Sequence, residues 1–396
     1  MTDGNSLRIK FGAEGSCEKF VGAGWAAPED GFRWMIGDES ELRLDIRFDA
    51  GDYIIELELS PFLRSPVVAS QRLTVSVNGS VIGHSTVARG GRFGYRIPEA
   101  VLSDTGTTSI VLSHPDAARP DAFGQRNDAR LLSLSVKRLN LSGILPGPAG
   151  LHVDGTGGIA LSGLEQIVGT TPDKFMLNFE SLGDNCEFGL VQRRCGAEPL
   201  GLLRFSNIRL PALLRAMDVA FQDFGDSENI EFRFENNKEK SEYIVHEKRY
   251  GIVYHTFRYR GEVDEKRLIS SEPARLALLV RKFVEDLRCG SKIFVYKPHI
   301  PLLEDEILPL YAALNSYGRN VLLWLVAANT EHASGSVEQV IPGLLKGFVE
   351  RFAPPENAHD LLLDAWLEVC VNAYRLSRTN PLTGLSSRFD DTGSLD

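Results

Sequence analysis

The sequence predicts an N-terminal all-β sandwich followed by a mixed domain of the α/β or α+β class. Short segments in which apolar and polar residues alternate fill the first third of the chain, which is typical of half-buried strands. A stretch rich in glycine and proline follows, and beyond it longer helical patterns alternate with apolar strands. These observations divide the chain into a β-sandwich at 1–142, a linker at 143–172, an α/β domain at 173–379 and a flexible tail at 380–396.

Composition restricts the class of protein. The chain has 396 residues, of which 43% are hydrophobic and 24% charged, as expected of a globular protein with two or three domains. Its formal net charge of −10 argues against nucleic-acid binding, which requires a basic surface. No apolar run reaches the roughly 18 residues of a membrane span, and the first residues lack the pattern of a signal peptide. We therefore expect a cytoplasmic protein.

Alternating segments define the first domain. The predicted strands are 42–48, 53–59, 73–77, 81–82, 91–97, 108–113 and 130–139. Asn78-Gly79 tolerates positive φ and predicts a two-residue hairpin turn between two of them. Short antiparallel strands at this spacing favour a β-sandwich.

The second domain alternates helices with strands. The predicted helices are 187–195, 211–220, 264–288, 303–317, 337–351 and 358–377. The predicted strands are 175–180, 230–235, 243–248, 251–257, 291–297 and 321–327. The last two strands and the helix between them predict a βαβ unit, and their continuous apolar character is typical of strands buried on both faces.

One cysteine lies where a strand turns into a helix. The five cysteines are scattered and form no CxxC pair, so we expect neither a disulfide framework nor a zinc site, and no metal or cofactor. Cys186 follows an apolar strand and the turn residue Gly183, and it opens a helix that Gly196 can end. A helix N-terminus favours a thiolate and an adjacent oxyanion. The same position also suits a small buried residue without chemistry.

A cysteine nucleophile requires a base, and His255 is the candidate. Val253, His255 and Phe257 share one face of a predicted strand, which would hold the ring in one orientation. The alternative is a partly buried histidine without a catalytic role.

Three further residues are candidates for supporting roles. Asn329 and Asp184 are candidates to orient the His255 ring. The Asn185 amide and the backbone N–H of Cys186 are candidate oxyanion donors. Asp184 and Asn185 serve equally well as helix caps alone.

Aromatic and basic residues suggest two binding sites. Trp25 and Trp34 are candidates to stack on sugar rings, although buried aromatic residues dominate protein cores and favour a role as plugs of the sandwich.

A local basic cluster in the second domain suits a phosphate or carboxylate, such as a nucleotide-sugar or an acidic glycan. It consists of Arg193, Arg194 and Arg204, with Arg209 nearby. Such clusters also occur as solvated faces held by ion pairs.

The first domain resembles a known bacterial module. Its Gly24-Trp25-Ala26-Ala27-Pro28-Glu29 segment, Val77-Asn78-Gly79 hairpin and Asp128-Ala129-Arg130 segment occur in that order. This order resembles a jelly-roll-like module attached to bacterial surface-polysaccharide glycosyltransferases, over about the first 140 residues. The resemblance implies a jelly-roll-like sandwich that contacts carbohydrate or acts as a scaffold, with a glycosyltransferase as partner.

The second domain resembles a bacterial family described as papain-like cysteine peptidases. The resemblance covers about residues 175–330 and includes the segment Ser181-Leu182-Gly183-Asp184-Asn185-Cys186 and a later strand that carries His255. It implies that Cys186 is the nucleophile and His255 the base, with a peptide or glycan as substrate. Where the family has a Pro-Phe-Asp-Trp-like segment, this chain has Pro199-Leu200-Gly201-Leu202, which lacks the Asp.

Three functions remain under consideration. The first is a cysteine-dependent hydrolase or acyl transferase linked to bacterial surface-polysaccharide metabolism. The second is a non-catalytic carbohydrate-binding or scaffolding protein in polysaccharide assembly. The third, a glycosyltransferase-like enzyme, ranks lowest because the sequence has no Asp-x-Asp motif. A Gly-Asp-Ser esterase is rejected, because Asn185 replaces the serine nucleophile.

Overall fold

The computed structural model describes residues 6–102, 106–124, 128–236, 240–354 and 357–379, so the predicted tail at 380–396 lies outside the described residues. The strands of the first part of the chain are β1 (Ser6–Lys10), β2 (Trp25–Glu29), β3 (Phe32–Ile36), β4 (Glu39–Asp45), β5 (Tyr53–Pro61), β6 (Gln71–Val77), β7 (Ser80–Val87), β8 (Gly91–Ile97), β9 (Thr107–Ser113) and β10 (Leu132–Gly143). The later strands are β11 (His152–Val153), β12 (Phe179–Ser181), β13 (Ser206–Asn207), β14 (Ile230–Asn236), β15 (Ser241–Glu247), β16 (Ile252–Tyr259), β17 (Ile293–Tyr296), β18 (Val321–Ala327), β19 (Val337–Ile341) and β20 (Leu344–Val349). The helices are α1 (Leu161–Val168), α2 (Pro172–Met176), α3 (Glu187–Arg194), α4 (Leu210–Asp218), α5 (Glu265–Cys289), α6 (Glu304–Asn315) and α7 (Leu363–Thr379).

Two compact units divide the chain. The first unit contains the described residues of Met1–Ile144 together with Leu302–Ala312, and the second contains those of Leu145–Pro301 and Ala313–Asp396. Each unit has its own sheets and its own hydrophobic core.

Two antiparallel sheets form a β-sandwich in the first unit. One sheet has the order β2-β3-β10-β5-β8, with β1 also paired to β10, and the other has the order β4-β9-β6-β7. Apolar side chains of both sheets, such as Leu44 and Leu57, meet in one core. Asn78 and Gly79 adopt φ angles of 48° and 81° in the β6–β7 hairpin, as the sequence predicts. Strands β1 to β3 lie outside the predicted set.

A six-stranded mixed sheet organises the second unit. Its order is β11-β19-β20-β18-β17-β12, in which β12, β17, β18 and β20 pair in parallel, β19 runs antiparallel to β20, and β11 pairs antiparallel with β19. Strand β18 occupies the predicted range 321–327 and pairs in parallel with β17, with α6 between them in sequence, but most of α6 lies in the segment Leu302–Ala312 that belongs to the first unit. A separate antiparallel sheet, β13-β16-β15-β14, completes the unit.

Two predicted elements are wrong. The predicted helix 337–351 is the hairpin β19–β20, because Gly343 turns the chain at φ 84° and β19 buries alternate residues rather than a helical stripe. The predicted strand 175–180 is divided: Pro172 opens the short helix α2, and the strand β12 begins only at Phe179.

The predicted linker 143–172 belongs to the second unit from Leu145 onward, and its first two residues belong to the first unit. It contains β11, which pairs with β19, and α1, whose Leu164 lies in the core. The Thr156 and Gly158 backbone N–H groups donate to the buried Glu368 carboxylate at 2.5 and 2.7 Å. This glycine-rich segment is therefore a loop held to the second unit by strand pairing, packing and hydrogen bonds, and not a flexible linker between domains.

Candidate functional site

The turn between β12 and α3 places Cys186. Gly183 has φ 82°, and a Cβ atom at this position would lie 2.8 Å from the side chains of Ser206 and Ile208, so only glycine fits. Asp184 follows at φ 69°, a left-handed conformation that aspartate tolerates better than most residues. The predicted order of strand, turn, Cys186 and helix is therefore present, with the helix beginning at Glu187.

Asp184 and Asn185 fasten this turn to the chain after β17. One Asp184 oxygen accepts the backbone N–H of His299 at 2.5 Å. The Asn185 amide accepts the N–H of Glu187 at 3.0 Å and donates to the carbonyl of Lys297 at 3.1 Å. Asn185 thus satisfies a first-turn donor of α3, as a capping residue does, and its amide N–H is directed to Lys297.

A pocket of about 480 Å³ opens beside the turn. It is formed where β12, β17 and β20 end, with one wall from the antiparallel sheet. The carboxyl ends of parallel strands are the usual position of ligand sites in such sheets. Its lining residues are Asp184, Asn185, Cys186, Glu187, Asn207, Gly251, Val253, His255, Lys297, His299, Ala353, Pro354 and Ala358. The structure thus brings Cys186 and His255 to one pocket.

Glu242 holds the His255 ring. The Nδ1 atom of His255 lies 3.2 Å from a Glu242 oxygen, and the other oxygen accepts the backbone N–H of Phe257 at 2.7 Å. The pairing of β15 with β16 is irregular here, and Phe257 adopts φ 53°. Such bulges redirect side chains and often lie beside functional sites. Glu242 is almost fully buried, whereas the His255 side chain is 37% exposed.

This pair shifts the pKa values of both partners. The hydrogen bond from Glu242 raises the pKa of His255 above its ordinary value, although burial opposes the shift. Burial alone would raise the pKa of Glu242, but the His255 ring and the Phe257 N–H outweigh it and hold the pKa below its ordinary value. Glu242 is therefore ionised near neutral pH, with His255 as its counter-ion or hydrogen-bond donor.

The Cys186 thiol is not activated by its helix in the resting structure. Burial, and then the negative charge of Glu242, raises the pKa of Cys186 to about 11, while the positive charge of Arg193 lowers it. Burial likewise raises the pKa of Cys195 to about 11. This direction is opposite to the one that a helix N-terminus would produce, and its largest cause is the loss of hydration on burial.

Asn329 is not among the residues that line this pocket. It lies in the turn after β18, where its side-chain oxygen accepts the N–H groups of Glu331 and His332 at 2.9 and 2.8 Å. Asp184 does line the pocket, but the ring of His255 is held by Glu242.

The predicted anion-binding arginines are engaged in structural contacts. Arg204 is buried and donates to Glu198 and to the carbonyls of Gly189 and Ala197. Arg193 also pairs with Glu198, at 2.7 Å, and its guanidinium lies over aromatic rings. Arg194 donates to a backbone carbonyl. The interpretation as ion pairs fits these contacts better than an open anion site does.

The two tryptophans differ in their surroundings. The Trp25 indole donates to the Glu41 carbonyl at 2.8 Å and packs 5.0 Å from Phe11 at the sandwich core, as a plug would. Trp34 is partly exposed and packs edge-on against Phe32 and Phe62. We call Phe32, Trp34, Phe62 and Phe123 the aromatic cluster.

Sequence reasoning missed Glu242 and Lys297. A signal for Glu242 was present: the short turn between the predicted strands 243–248 and 251–257 fixes an antiparallel register that pairs Ile244 with His255. Glu242 is then a diagonal neighbour of His255, within reach of a long side chain.

The described residues include neither a cluster suited to a metal ion nor a helix suited to spanning a membrane. Among residues 6–102, 106–124, 128–236, 240–354 and 357–379, no group of three or more His, Cys, Asp or Glu side chains is arranged to hold a metal ion. No helix within those residues is both long and apolar enough to cross a membrane.

Comparison with known proteins finds solved structures that resemble part of the chain at low sequence identity. No protein-family model and no curated protein matches the chain. The CBM36-1 domain of a multidomain xylanase from the hindgut metagenome of Trinervitermes trinervoides has 15% identity and a TM-score of 0.25, covering 36% of this chain and 100% of that one. A carbohydrate-binding module CBM36 in complex with calcium and xylotriose has 13% identity and a TM-score of 0.22, covering 34% and 99%. A family 35 carbohydrate-binding module from an environmental isolate has 16% identity and a TM-score of 0.20, covering 35% and 87%.

Proposed function

We propose that the second unit is a cysteine-dependent hydrolase or acyl transferase in which Cys186 is the nucleophile, His255 the proton carrier and Glu242 the residue that orients His255. The observation that carries this proposal is the pocket lined by both Cys186 and His255, with the ring bonded to a buried carboxylate. Asn329 and Asp184, the residues favoured from sequence, are replaced by Glu242 in the orienting role.

The carboxylate fixes which ring nitrogen acts as base. An ionised carboxylate only accepts hydrogen bonds, so in the neutral ring the Nδ1 of His255 carries the proton and Nε2 keeps its lone pair. At a thiol pKa of about 11 little thiolate exists near neutral pH. The thiol proton must therefore pass to Nε2 while the sulfur attacks.

The proposed reaction has two steps, acylation of Cys186 and then transfer of the acyl group to water or another acceptor. The Cys186 sulfur forms a bond to the substrate carbonyl carbon, and the proton on Nε2 passes to the leaving group as its bond to that carbon breaks. The backbone N–H of Cys186 lies at the N-terminus of α3, where positive potential favours the oxyanion. Water, or the acceptor of a transferase, then attacks the thioester and gives its proton to Nε2. That proton passes to the Cys186 sulfur as the bond between sulfur and the carbonyl carbon breaks, which restores the thiol and the neutral ring.

An acyl adduct tests the proposal. The full chain is treated with an activated ester, quenched with acid and digested, and the Cys186 and Cys195 peptides are compared by mass spectrometry. We expect the adduct on Cys186, not on Cys195, and its loss in a His255→Ala variant that still folds. An adduct that forms equally on both cysteines, or only in denaturant, would reject the proposed mechanism.

A second candidate function belongs to the first unit. Phe32, Trp34 and Phe123 of the aromatic cluster are partly exposed, whereas Phe62 is buried, with the Arg64 guanidinium 4.7 Å from its ring centre. Aromatic faces beside a polar group suit the apolar face of a sugar ring. This favours a jelly-roll-like module that binds a glycan in bacterial polysaccharide assembly.

Matched tryptophan variants test this second candidate. Trp34→Ala should weaken binding of the full chain to a bacterial polysaccharide without lowering its melting temperature. Trp25→Ala should instead lower the melting temperature, because Trp25 packs at the core and donates a hydrogen bond. Retention of polysaccharide binding in a folded Trp34→Ala variant would exclude the aromatic cluster as the binding site.

A further inference from the structure

Lys297 is a buried lysine that lines the candidate pocket. It follows directly after β17, and only 9% of the residue is exposed. Its backbone carbonyl accepts the Asn185 amide at 3.1 Å, so its peptide is fastened to the residue before Cys186. The segments that carry Lys297 and Cys186 are therefore hydrogen-bonded to each other at the wall of the pocket.

The ammonium group of Lys297 has few partners. Its Nζ lies 3.7 Å from a Glu187 oxygen, which is longer than a hydrogen bond, and 4.7 Å from the centre of the Phe352 ring. Among the described residues, Nζ therefore has this long ion pair with Glu187 and no hydrogen bond of 3.5 Å or less, whereas an ammonium can donate three. A buried charge with unused donors is costly unless a ligand supplies acceptors.

Glu187 does not depend on Lys297 alone. Its Oε1 accepts the backbone N–H of Ala353 at 3.1 Å and the indole N–H of Trp366 at 2.9 Å. Burial raises the pKa of both Glu187 and Asp184, which reduces the negative charge that an incoming anion would meet. Burial lowers the pKa of Lys297, an effect that a bound anion would reverse.

We propose that Lys297 binds an anionic group of the substrate, a carboxylate or a phosphate, beside Cys186. The substrate of the thiol reaction would then be an acyl compound that carries such a group. The acyl part of this inference depends on the proposed function, whereas the anion site itself does not.

Alkylation by a charged and a neutral reagent tests the site. The rates of Cys186 modification by iodoacetate and by iodoacetamide are measured on the full chain, and their ratio is compared with that in denaturant. An anion site should raise the ratio in the folded protein, and Lys297→Gln should lower it roughly tenfold, the loss of one charged hydrogen bond. Glu187→Gln should increase the ratio, because it removes the competing carboxylate.

Two further variants serve as controls. Lys297→Arg keeps the charge and should keep most of the ratio. Lys346→Gln removes an equal charge on β20, where the ammonium pairs with Glu338 at 3.3 Å, and should leave the ratio unchanged. If Lys297→Gln does not fold, Lys297→Gln combined with Glu187→Gln removes both charges and leaves the Ala353 and Trp366 donors an acceptor.

The outcomes separate this inference from the proposed function. A Cys186 that reacts with iodoacetamide, with a ratio that Lys297→Gln does not change, overturns the anion site and leaves the thiol mechanism standing. If Cys186 reacts with neither reagent, the thiol mechanism fails, and titration with succinate, inorganic phosphate and neutral succinamide decides. Saturable binding of one of the two anions that Lys297→Gln abolishes supports the site and identifies the group, and no such binding overturns it.

Discussion

Replacing Glu242 with Gln should uncouple the His255 ring from its carboxylate. The amide is nearly the same shape and can still accept the Phe257 N–H, which Glu242 accepts at 2.7 Å. Its NH2 group, however, would donate to Nδ1, so the ring proton would move to Nε2, the nitrogen that has to receive the thiol proton. The variant therefore keeps the fold of the site, but Nε2 of the neutral ring then carries a proton and cannot accept the one from the thiol.

The interaction between His255 and Glu242 should contribute about 1 kcal/mol to stability. A hydrogen bond to a charged group contributes roughly 1.5–3 kcal/mol. The His255 side chain is 37% exposed, and solvent screening reduces that figure to about 1 kcal/mol. Because the pKa of His255 is raised, its contribution is full below the ordinary 6.5 and is lost as pH rises through the folded-state pKa. Because the pKa of Glu242 is lowered, its contribution is full above the ordinary 4.5 and is lost as pH falls through the folded-state pKa.

A double-mutant cycle measures this coupling. The free energy of urea unfolding is determined for the wild type, Glu242→Gln, His255→Asn and the double variant, once between those two ordinary pKa values and once well above that of His255. We expect a coupling of about 1 kcal/mol at the lower pH and a smaller one at the higher pH. A coupling near zero at the lower pH, or one that does not depend on pH, would refute the role assigned to Glu242.

Three other predictions concern the pocket and the two units. The rate of Cys186 alkylation should rise with pH as His255 loses its proton, with a midpoint above the ordinary His pKa of 6.5. A rate whose pH dependence does not follow the NMR titration of the His255 ring would contradict this prediction. Gly183→Ala should reduce the free energy of unfolding by about 2–3 kcal/mol and Gly196→Ala by about 1 kcal/mol. Both glycines have positive φ, but an added Cβ would lie 2.8 Å from its nearest neighbours at Gly183 and 3.8 Å at Gly196. Equal losses in urea unfolding would show that these close contacts at Gly183 cost nothing. Burial lowers the pKa of His114, so the first unit should lose stability as pH falls below the ordinary 6.5, and a melting temperature with the same pH dependence in His114→Gln would contradict that assignment.

Local chemistry allowed much of the site to be predicted. Gly183 and Gly196 have the positive φ angles that their places before and after a short helix require. Asn185 accepts a first-turn N–H, which is the reason such residues precede helices. Of the three residues that the alternation along β16 puts on one face, Val253 and His255 line the pocket and Phe257, at the irregular position, does not.

Features that depend on tertiary packing escaped prediction. The strand register brings Glu242 near His255, but its second hydrogen bond, to the Phe257 N–H, is made where the β15–β16 pairing is irregular, and a bulge leaves little trace in sequence. The raised pKa of Cys186 arises first from burial and then from the charge of Glu242, neither of which its position before α3 could reveal. The predicted helix 337–351 is the hairpin β19–β20: its period-2 alternation is short, and Pro342-Gly343 is the local turn signal that argues against a helix.

The ratio of the alkylation rates of Cys186 and Cys195 by iodoacetamide near neutral pH tests the central claim most directly. Burial raises the pKa of each thiol to about 11, so the two form little thiolate on their own, and only Cys186 shares a pocket with His255. If His255 removes the thiol proton, the ratio should be high in the wild type and fall at least roughly tenfold in a folded His255→Ala variant. A ratio that His255→Ala leaves unchanged would contradict the account and make Cys186 a packing residue.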